Sequence, residues 1–476
     1  MTFEDTTFGS YDKAERRAHK AHELYENGKV SQALLILEEA IQINPSNGAW
    51  HFNKALGLDT INRFEDAIAE YEIALQLTPN DLEILNSLAV DYTRTGQYDR
   101  AVETFEYIQE LDSTFEPCYC NRIITYTEMD QHDLAEQMFY LAQQLNPNCA
   151  LCYYNIGNNL FVRGLYKKAV HCWQRTVQLE PTHPQINYRI AQAYWSDGDS
   201  AKAREYFLAE LRTNPGDIEV ILDFGLFLLQ TGDIESAKEK FNRILELDPG
   251  FAPALFYLGE IAFNNNDYEK AAELFRQALQ KDGSLTGPHY RLAQCELMKG
   301  HNDDAKNHLL FELELAPEDG APLVSMGSMF LTIGELDLAT DCLVKAATLD
   351  CGPKSAPADS GDTSAAEDNH DQQQPSITAD AYYYLGLVCI AKDRLEDAAE
   401  FFSHALDIRP QHILALRDSA AVYLAMGKIK DAAQRIKKVT DLADKDQQIK
   451  SLDRKIRLSQ SMEHVTDFLS RLIPHR

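Results

Sequence analysis

"ALCYYNIGNNLFVRGLYKKAVHCWQRTVQLEP", residues 150–181, decides the fold. Two amphipathic stretches flank Gly164, and Pro181 closes the segment. Glycine tolerates the left-handed backbone at a helix end and proline cannot continue a helix, so the segment reads as helix, tight turn, helix, turn. A small residue at Ala169 lets the two helices approach closely. Trp173, one turn later on the same face, fills the space beside it.

The same columns recur along the chain. Alanine stands at Ala33, Ala67, Ala101, Ala135, Ala169, Ala203, Ala237, Ala271, Ala305 and Ala339, each 34 residues after the last, then at Ala398 after an insertion of 25, and at Ala432. Four residues after each is a bulky apolar side chain, such as Tyr71, Phe105, Phe139, Phe207, Phe241, Phe275 and Phe402. Five residues before each is Gly, or else Asn or Asp. A fixed period of this length signals a helical-hairpin array.

At this point the chain resembles the tetratricopeptide repeat family. Residues 150–181 carry the family pattern at Tyr153, Ile156, Gly157, Leu160, Gly164, Ala169, Trp173 and Pro181. Departures are local: Ser113, Gly283, Cys351 and Asp444 replace the closing proline, and Ala262 and Glu296 stand where the family favours a large apolar residue. The resemblance implies an all-α fold, a right-handed superhelical solenoid of about twelve helix-turn-helix repeats with a C-terminal capping helix. The expected organisation is an N-terminal segment 1–13, ten contiguous repeats over 14–351, a disordered acidic and polar insertion over 352–377, two further repeats over 378–446, and capping helices over 447–476. The insertion is rich in Ser, Ala, Asp, Gln and Pro and has no aromatic residue to bury. The end of the chain is locally basic, with 12 Lys and Arg against 7 Asp and Glu from Lys428 onward, which suits a terminal cap or a dock for an acidic partner.

A formal charge of -29 argues against nucleic acid, whose phosphates require a cationic face, and makes a protein partner the natural expectation. No apolar run is long enough to span a bilayer, and "MTFEDTTFGSYDK" lacks the basic-then-apolar pattern of a leader, so an unexported, cytoplasmic protein is expected. Nine cysteines in a large chain point to reduced thiols rather than a disulfide framework.

The clustered Cys118, Cys120, Cys149 and Cys152 invite a metal-site reading. Cys118 and Cys152 occupy the same repeat position, the third, which elsewhere holds Trp50, Ile84, Ile186 and Val220. That position is a packing site, and buried cysteine behaves as a small apolar residue. The expectation is therefore no metal and no cofactor.

No catalytic motif is present. The Gly28–Lys29 pair lacks the earlier glycine of a phosphate loop because Glu23 stands there, and no zinc-protease or nucleophile-elbow pattern occurs. The chain is read as a non-enzyme.

The family resemblance further implies that first-helix positions two, five, nine, twelve and thirteen line a concave face. Carried across, repeats five and six present Tyr154, Asn158, Phe161, Tyr188, Gln192 and Trp195; repeats seven to nine present Leu222, Leu226, Leu229, Phe256, Phe263, Tyr290, Leu297 and Met298. This is an uncharged aromatic and aliphatic stripe, the kind of surface that binds partners. The only cations at these positions are the distant Arg94 and Arg417, too few for the clamp that holds chaperone C-termini in some family members. The reading is a scaffold or adaptor that grips an extended or helical segment of one or more proteins or peptides, with a targeting subunit of a separate enzyme, or a cysteine-based metal or thiol sensor, as alternatives. Oligomeric state is not legible.

Overall fold

The computed structural model describes residues 3–315, 320–349, 374–442 and 449–459. Among them the chain is helical, without strands. It divides into two compact units, Met1–Lys240 and Phe241–Arg476.

Unit 1 runs through α1 (Phe3–Glu26), α2 (Val30–Ile43), α3 (Gly48–Thr60), α4 (Phe64–Leu77), α5 (Leu82–Arg94), α6 (Tyr98–Leu111), α7 (Glu116–Glu128), α8 (His132–Leu145), α9 (Ala150–Val162), α10 (Tyr166–Leu179), α11 (Ile186–Ser196), α12 (Ser200–Thr213) and α13 (Ile218–Gln230). The division from unit 2 falls inside α14 (Ile234–Leu247). Unit 2 continues with α15 (Ala252–Asn264), α16 (Tyr268–Lys281), α17 (Pro288–Lys299), α18 (Asn302–Glu314), α19 (Gly320–Ile333), α20 (Leu336–Leu349), α21 (Gln374–Ala391), α22 (Leu395–Ile408), α23 (Ile413–Ala425) and α24 (Ile429–Leu442). In each unit, α14 apart, an odd helix packs against the even helix that follows it, and that helix against the next odd one.

The turn column sets these hairpins. All twelve residues five before the alanines, from Gly28 to Gly427 and including Asn62, Asp130, Asn266 and Asp393, have φ between 55° and 97°. Only Gly, or Asn and Asp at modest cost, take that conformation readily. Several odd helices begin under a side-chain cap: Asp81 accepts from the Ile84 amide and Asp217 from the Val220 amide.

The alanine column is buried throughout, and so are its apolar partners, with one exception. Phe139 is half-buried, its ring edge-on to that of Tyr153 at 5.5 Å, while its neighbour Met138 is buried. In the fifth and eighth repeats close approach of the paired helices also requires glycine opposite the bulky residue. A Cβ on Gly157 would lie 2.4 Å from Trp173, and one on Gly259 would lie 2.6 Å from Phe275.

Neighbouring repeats of unit 1 are cross-linked between their odd helices by side chains 35 residues apart. Tyr25 meets Thr60 at 2.9 Å, and the Asn121 amide donates to Asn86 at 3.1 Å. Deeper in, the Thr93 and Thr125 hydroxyls meet at 2.7 Å, and Asn159 donates to Thr127 at 2.9 Å, satisfying polar groups that burial would otherwise penalise.

Two helices start ahead of the expected repeat bounds. Helix α1 begins at Phe3, well ahead of Ala14, the stretch between them containing no proline. Helix α21 begins at Gln374, inside the expected insertion, since Pro375 falls in the first turn where its missing N–H costs nothing. Residues 352–373 of that insertion, and 443–448 and 460–476 of the basic end, lie outside the described residues. Residues 449–459 are helical and bury Ile449 and Ile456 against the core of α22 to α24. Glu296, one of the departures, is buried but compensated: Arg276, Lys299 and His301 converge on its carboxylate at 3.1, 3.3 and 2.9 Å.

Candidate functional site

Helical spacing aligns the expected face within unit 1. Tyr154, Asn158 and Phe161 share one side of α9; Tyr188, Gln192 and Trp195 share that of α11; Leu222, Leu226 and Leu229 share that of α13. Phe161 is half-buried, its ring 5.4 Å from Tyr166 and 5.8 Å from Trp173. Trp195 is also half-buried and lies 6.2 Å from Phe207 and 5.9 Å from Phe227, with its indole N–H donating to Gln230. Both rings therefore stand on a rigid aromatic floor. Tyr154 is partly covered by His183, whose ring centre is 4.4 Å away; the loop that carries His183 turns through Gln185 at φ 54°.

Tyr188 is placed differently from its neighbours. It is 2 % exposed, and its phenol donates to Asp223 Oδ2 at 2.7 Å, as does the Gln192 amide at 3.0 Å. Burial, then the bond to Asp223 and its charge, raise the Tyr188 pKa and keep the phenol neutral. Asp223 was missed in the sequence because position six is not among the inward positions; its signal was the one-residue offset by which neighbouring odd helices meet.

In unit 2, Phe256 and Phe263 come from α15 and Tyr290 from α17. Phe256 packs on Phe275 at 5.7 Å, and Leu297 is half-buried while Met298 is 65 % exposed. This face is not uncharged. Arg291 forms a two-pronged ion pair with Glu260, both contacts 2.6 Å, and its guanidinium lies over Phe263 at 5.1 Å. The cations of the stripe are engaged within the chain: Arg94 pairs with Asp59 and Asp91, and Arg417 with Asp418.

The cysteines divide. Cys118 is fully buried and its thiol donates to the Phe105 carbonyl at 3.2 Å, so it packs as its repeat position requires; burial pushes its pKa up to about 12. The expectation of free thiols is corrected at Cys120 and Cys152, which form a disulfide. Positions five and three of neighbouring repeats face each other across α7 and α9, bringing their Cα atoms to 5.0 Å.

A stack of helical hairpins that displays an apolar side-chain face belongs to the class of repeat solenoids used as protein–protein interaction scaffolds. Models described as tetratricopeptide repeats match residues 20–81, 53–114, 154–218 and 364–413, and residues 390–456. A model of the middle TPR-like domain of cilia and flagella-associated protein 70 matches residues 188–286. The chain belongs to the tetratricopeptide repeat family. Among solved structures it is similar to the APC/C hetero-tetramer Cut9–Hcn1, with 14% identity over 93% of this chain and 96% of that one at a TM-score of 0.43. It is similar to yeast Tom70, with 13% identity over 95% and 96% at 0.40. YrrB, a TPR protein with an unusual peptide-binding site, is 22% identical over 38% of this chain and 92% of its own, at 0.32. No match is found among curated protein sequences. Among the described residues no helix is long and apolar enough to cross a membrane.

Proposed function

We propose that the chain is a non-catalytic scaffold whose α9–α11–α13 face grips an extended or helical apolar segment of a partner protein. The observation that supports this reading is the pair Phe161 and Trp195. Each is half-buried on an aromatic floor, so each offers a flat apolar surface whose rotamer is already fixed. Leu222, Leu226 and Leu229 extend the apolar surface along α13; beside it the Asp223 carboxylate accepts from Tyr188 and Gln192, and Glu219 lies 3.4 Å from the Tyr188 hydroxyl. A segment presenting apolar residues along one side fits such a face. Tyr188 serves as a positioning residue beneath it.

The test is affinity purification from native cell extract of the wild-type chain beside a Phe161→Ala, Trp195→Ala double variant, with mass spectrometry of the co-eluting proteins. A partner lost from the variant alone supports the reading. The same partners at the same yield from both chains would overturn it.

A further inference from the structure

Four donor side chains converge where the fourth repeat meets the fifth. Glu116 and Cys120 are one turn apart on α7, while Cys149 and Cys152 are the N-cap and third residue of α9. Cys120 Sγ is 2.8 Å from Glu116 Oε1 and 3.5 Å from Cys149 Sγ. Cys152 Sγ is 3.3 Å from the same Glu116 oxygen. The four donor atoms all lie within 4.8 Å of one another. Cys118 takes no part, because its thiol is turned to the Phe105 carbonyl.

We propose that, once the Cys120–Cys152 disulfide is reduced, this cluster binds zinc through Cys120, Cys149, Cys152 and Glu116. In a tetrahedral site with Zn–S near 2.3 Å and Zn–O near 2.0 Å, neighbouring donor atoms are roughly 3.5–3.8 Å apart. The Cys120–Cys149 separation of 3.5 Å and the Cys152–Glu116 separation of 3.3 Å are close to those edges. Three thiolates with one carboxylate suit zinc and discriminate against magnesium and calcium, which take oxygen donors.

Two helix N-termini meet at the cluster. Glu116 opens α7 and Cys149 caps α9, so both sit at the positive ends of helices. The Cys152 amide donates to Cys149 Sγ at 3.4 Å, a bond that orients a metal-bound sulfur. The Asn155 amide donates to the Cys120 carbonyl at 2.8 Å and holds α7 against α9. Cys120 and Cys152 are fully buried, whereas Glu116 and Cys149 are half-buried and leave the cluster an opening to solvent.

The disulfide and the zinc site use the same sulfurs and exclude each other. A phosphine reductant and one water convert the disulfide to two thiols, the phosphine leaving as its oxide. Zinc then displaces three protons from the three thiols. Oxidation state thereby decides metal occupancy.

The test uses the full chain, purified without metal-affinity resin and reduced anaerobically with a phosphine. Cobalt(II) is titrated as the probe and zinc(II) added in competition. Near-ultraviolet thiolate-to-cobalt absorption and strong visible bands of tetrahedral cobalt should saturate at one equivalent and vanish on adding zinc. Cys149→Ser should weaken cobalt at least about tenfold, the loss that even an outer-shell substitution causes. Cys118→Ser should titrate as wild type. Absence of tetrahedral bands in the reduced wild-type chain, or an unchanged titration for Cys149→Ser, would overturn the assignment. A fold-independent check uses the wild type alone: zinc should protect Cys149 from alkylation but not the half-buried Cys172, and equal labelling of the two refutes the site.

Discussion

A Cβ on Gly157 would lie 2.4 Å from the indole nitrogen of Trp173, so the two helices of the fifth repeat meet at a distance that glycine alone permits. That indole donates to the Tyr154 carbonyl at 3.2 Å, which ties the packing of the hairpin to the backbone beneath the proposed binding face. Gly157→Ala should therefore lower stability by about 1–3 kcal/mol through overpacking, although alanine is the better helix former. Denaturant unfolding of the two chains checks the sign.

The carboxyl of Asp91 is 1 % exposed and one of its oxygens has no hydrogen-bond partner. Burial, and then the nearby charge of Asp59, push its pKa up to about 7. Between about pH 4, where an unfolded aspartate ionises, and about pH 7 the folded chain holds a proton that the unfolded chain has released. Asp91 therefore makes stability fall as pH rises through that window and stay level above it. Asp91→Asn should abolish this component and raise stability at pH 8 by on the order of 1–3 kcal/mol, read from melting temperatures across pH.

Glu296 occupies a position filled elsewhere by Leu58, Leu160 and Phe330. Burial opposes its charge, but His301, Lys299 and Arg276 outweigh it, and its pKa is lowered. Its contribution is present above the pKa of an unfolded glutamate and is lost as pH falls through the lower folded value. At neutral pH, Glu296→Ala should cost about 2–4 kcal/mol, whereas Glu296→Leu should be close to neutral or stabilising because it replaces the ionic cluster with apolar packing. Equal losses in the two variants would contradict the packing argument.

On the proposed binding face, Trp195→Ala should weaken partner binding by about 2 kcal/mol or more, roughly thirtyfold. Tyr188→Phe should act on stability instead: removing the phenol leaves Asp223 short of a donor, at about 1.5–3 kcal/mol. Titration calorimetry with the captured partner and thermal melts of both variants separate the two effects.

The hairpin architecture was legible because its signals repeat. Gly28 and Asn62 differ in side chain but share a left-handed backbone, and twelve such agreements fix the register. The contents of the face were only partly legible. Tyr188 was placed on the correct helix, but its burial depends on Asp223, a residue of the next repeat that no single-repeat pattern contains. The cysteines show the same limit. Register correctly assigned Cys118 to packing, yet Cys152, at the identical position, faces Cys120 because its neighbour on α7 carries sulfur rather than Asn86 or Tyr154 at position five. Periodicity gives the offset at which neighbouring odd helices meet, but what each contact does depends on which side chains that offset brings together.

The cross-links that step from one odd helix to the next give unit 1 a mechanical character. Pulled along its length, such an array yields repeat by repeat, since each rung, Tyr25 to Thr60 or Asn86 to Asn121, fastens only adjacent repeats. The covalent rung between Cys120 and Cys152 spans 32 residues. At about 3.5 Å per extended residue it withholds on the order of 110 Å of contour from any applied force until it is reduced. A spring with one redox-controlled stop would lengthen differently in reducing and oxidising surroundings.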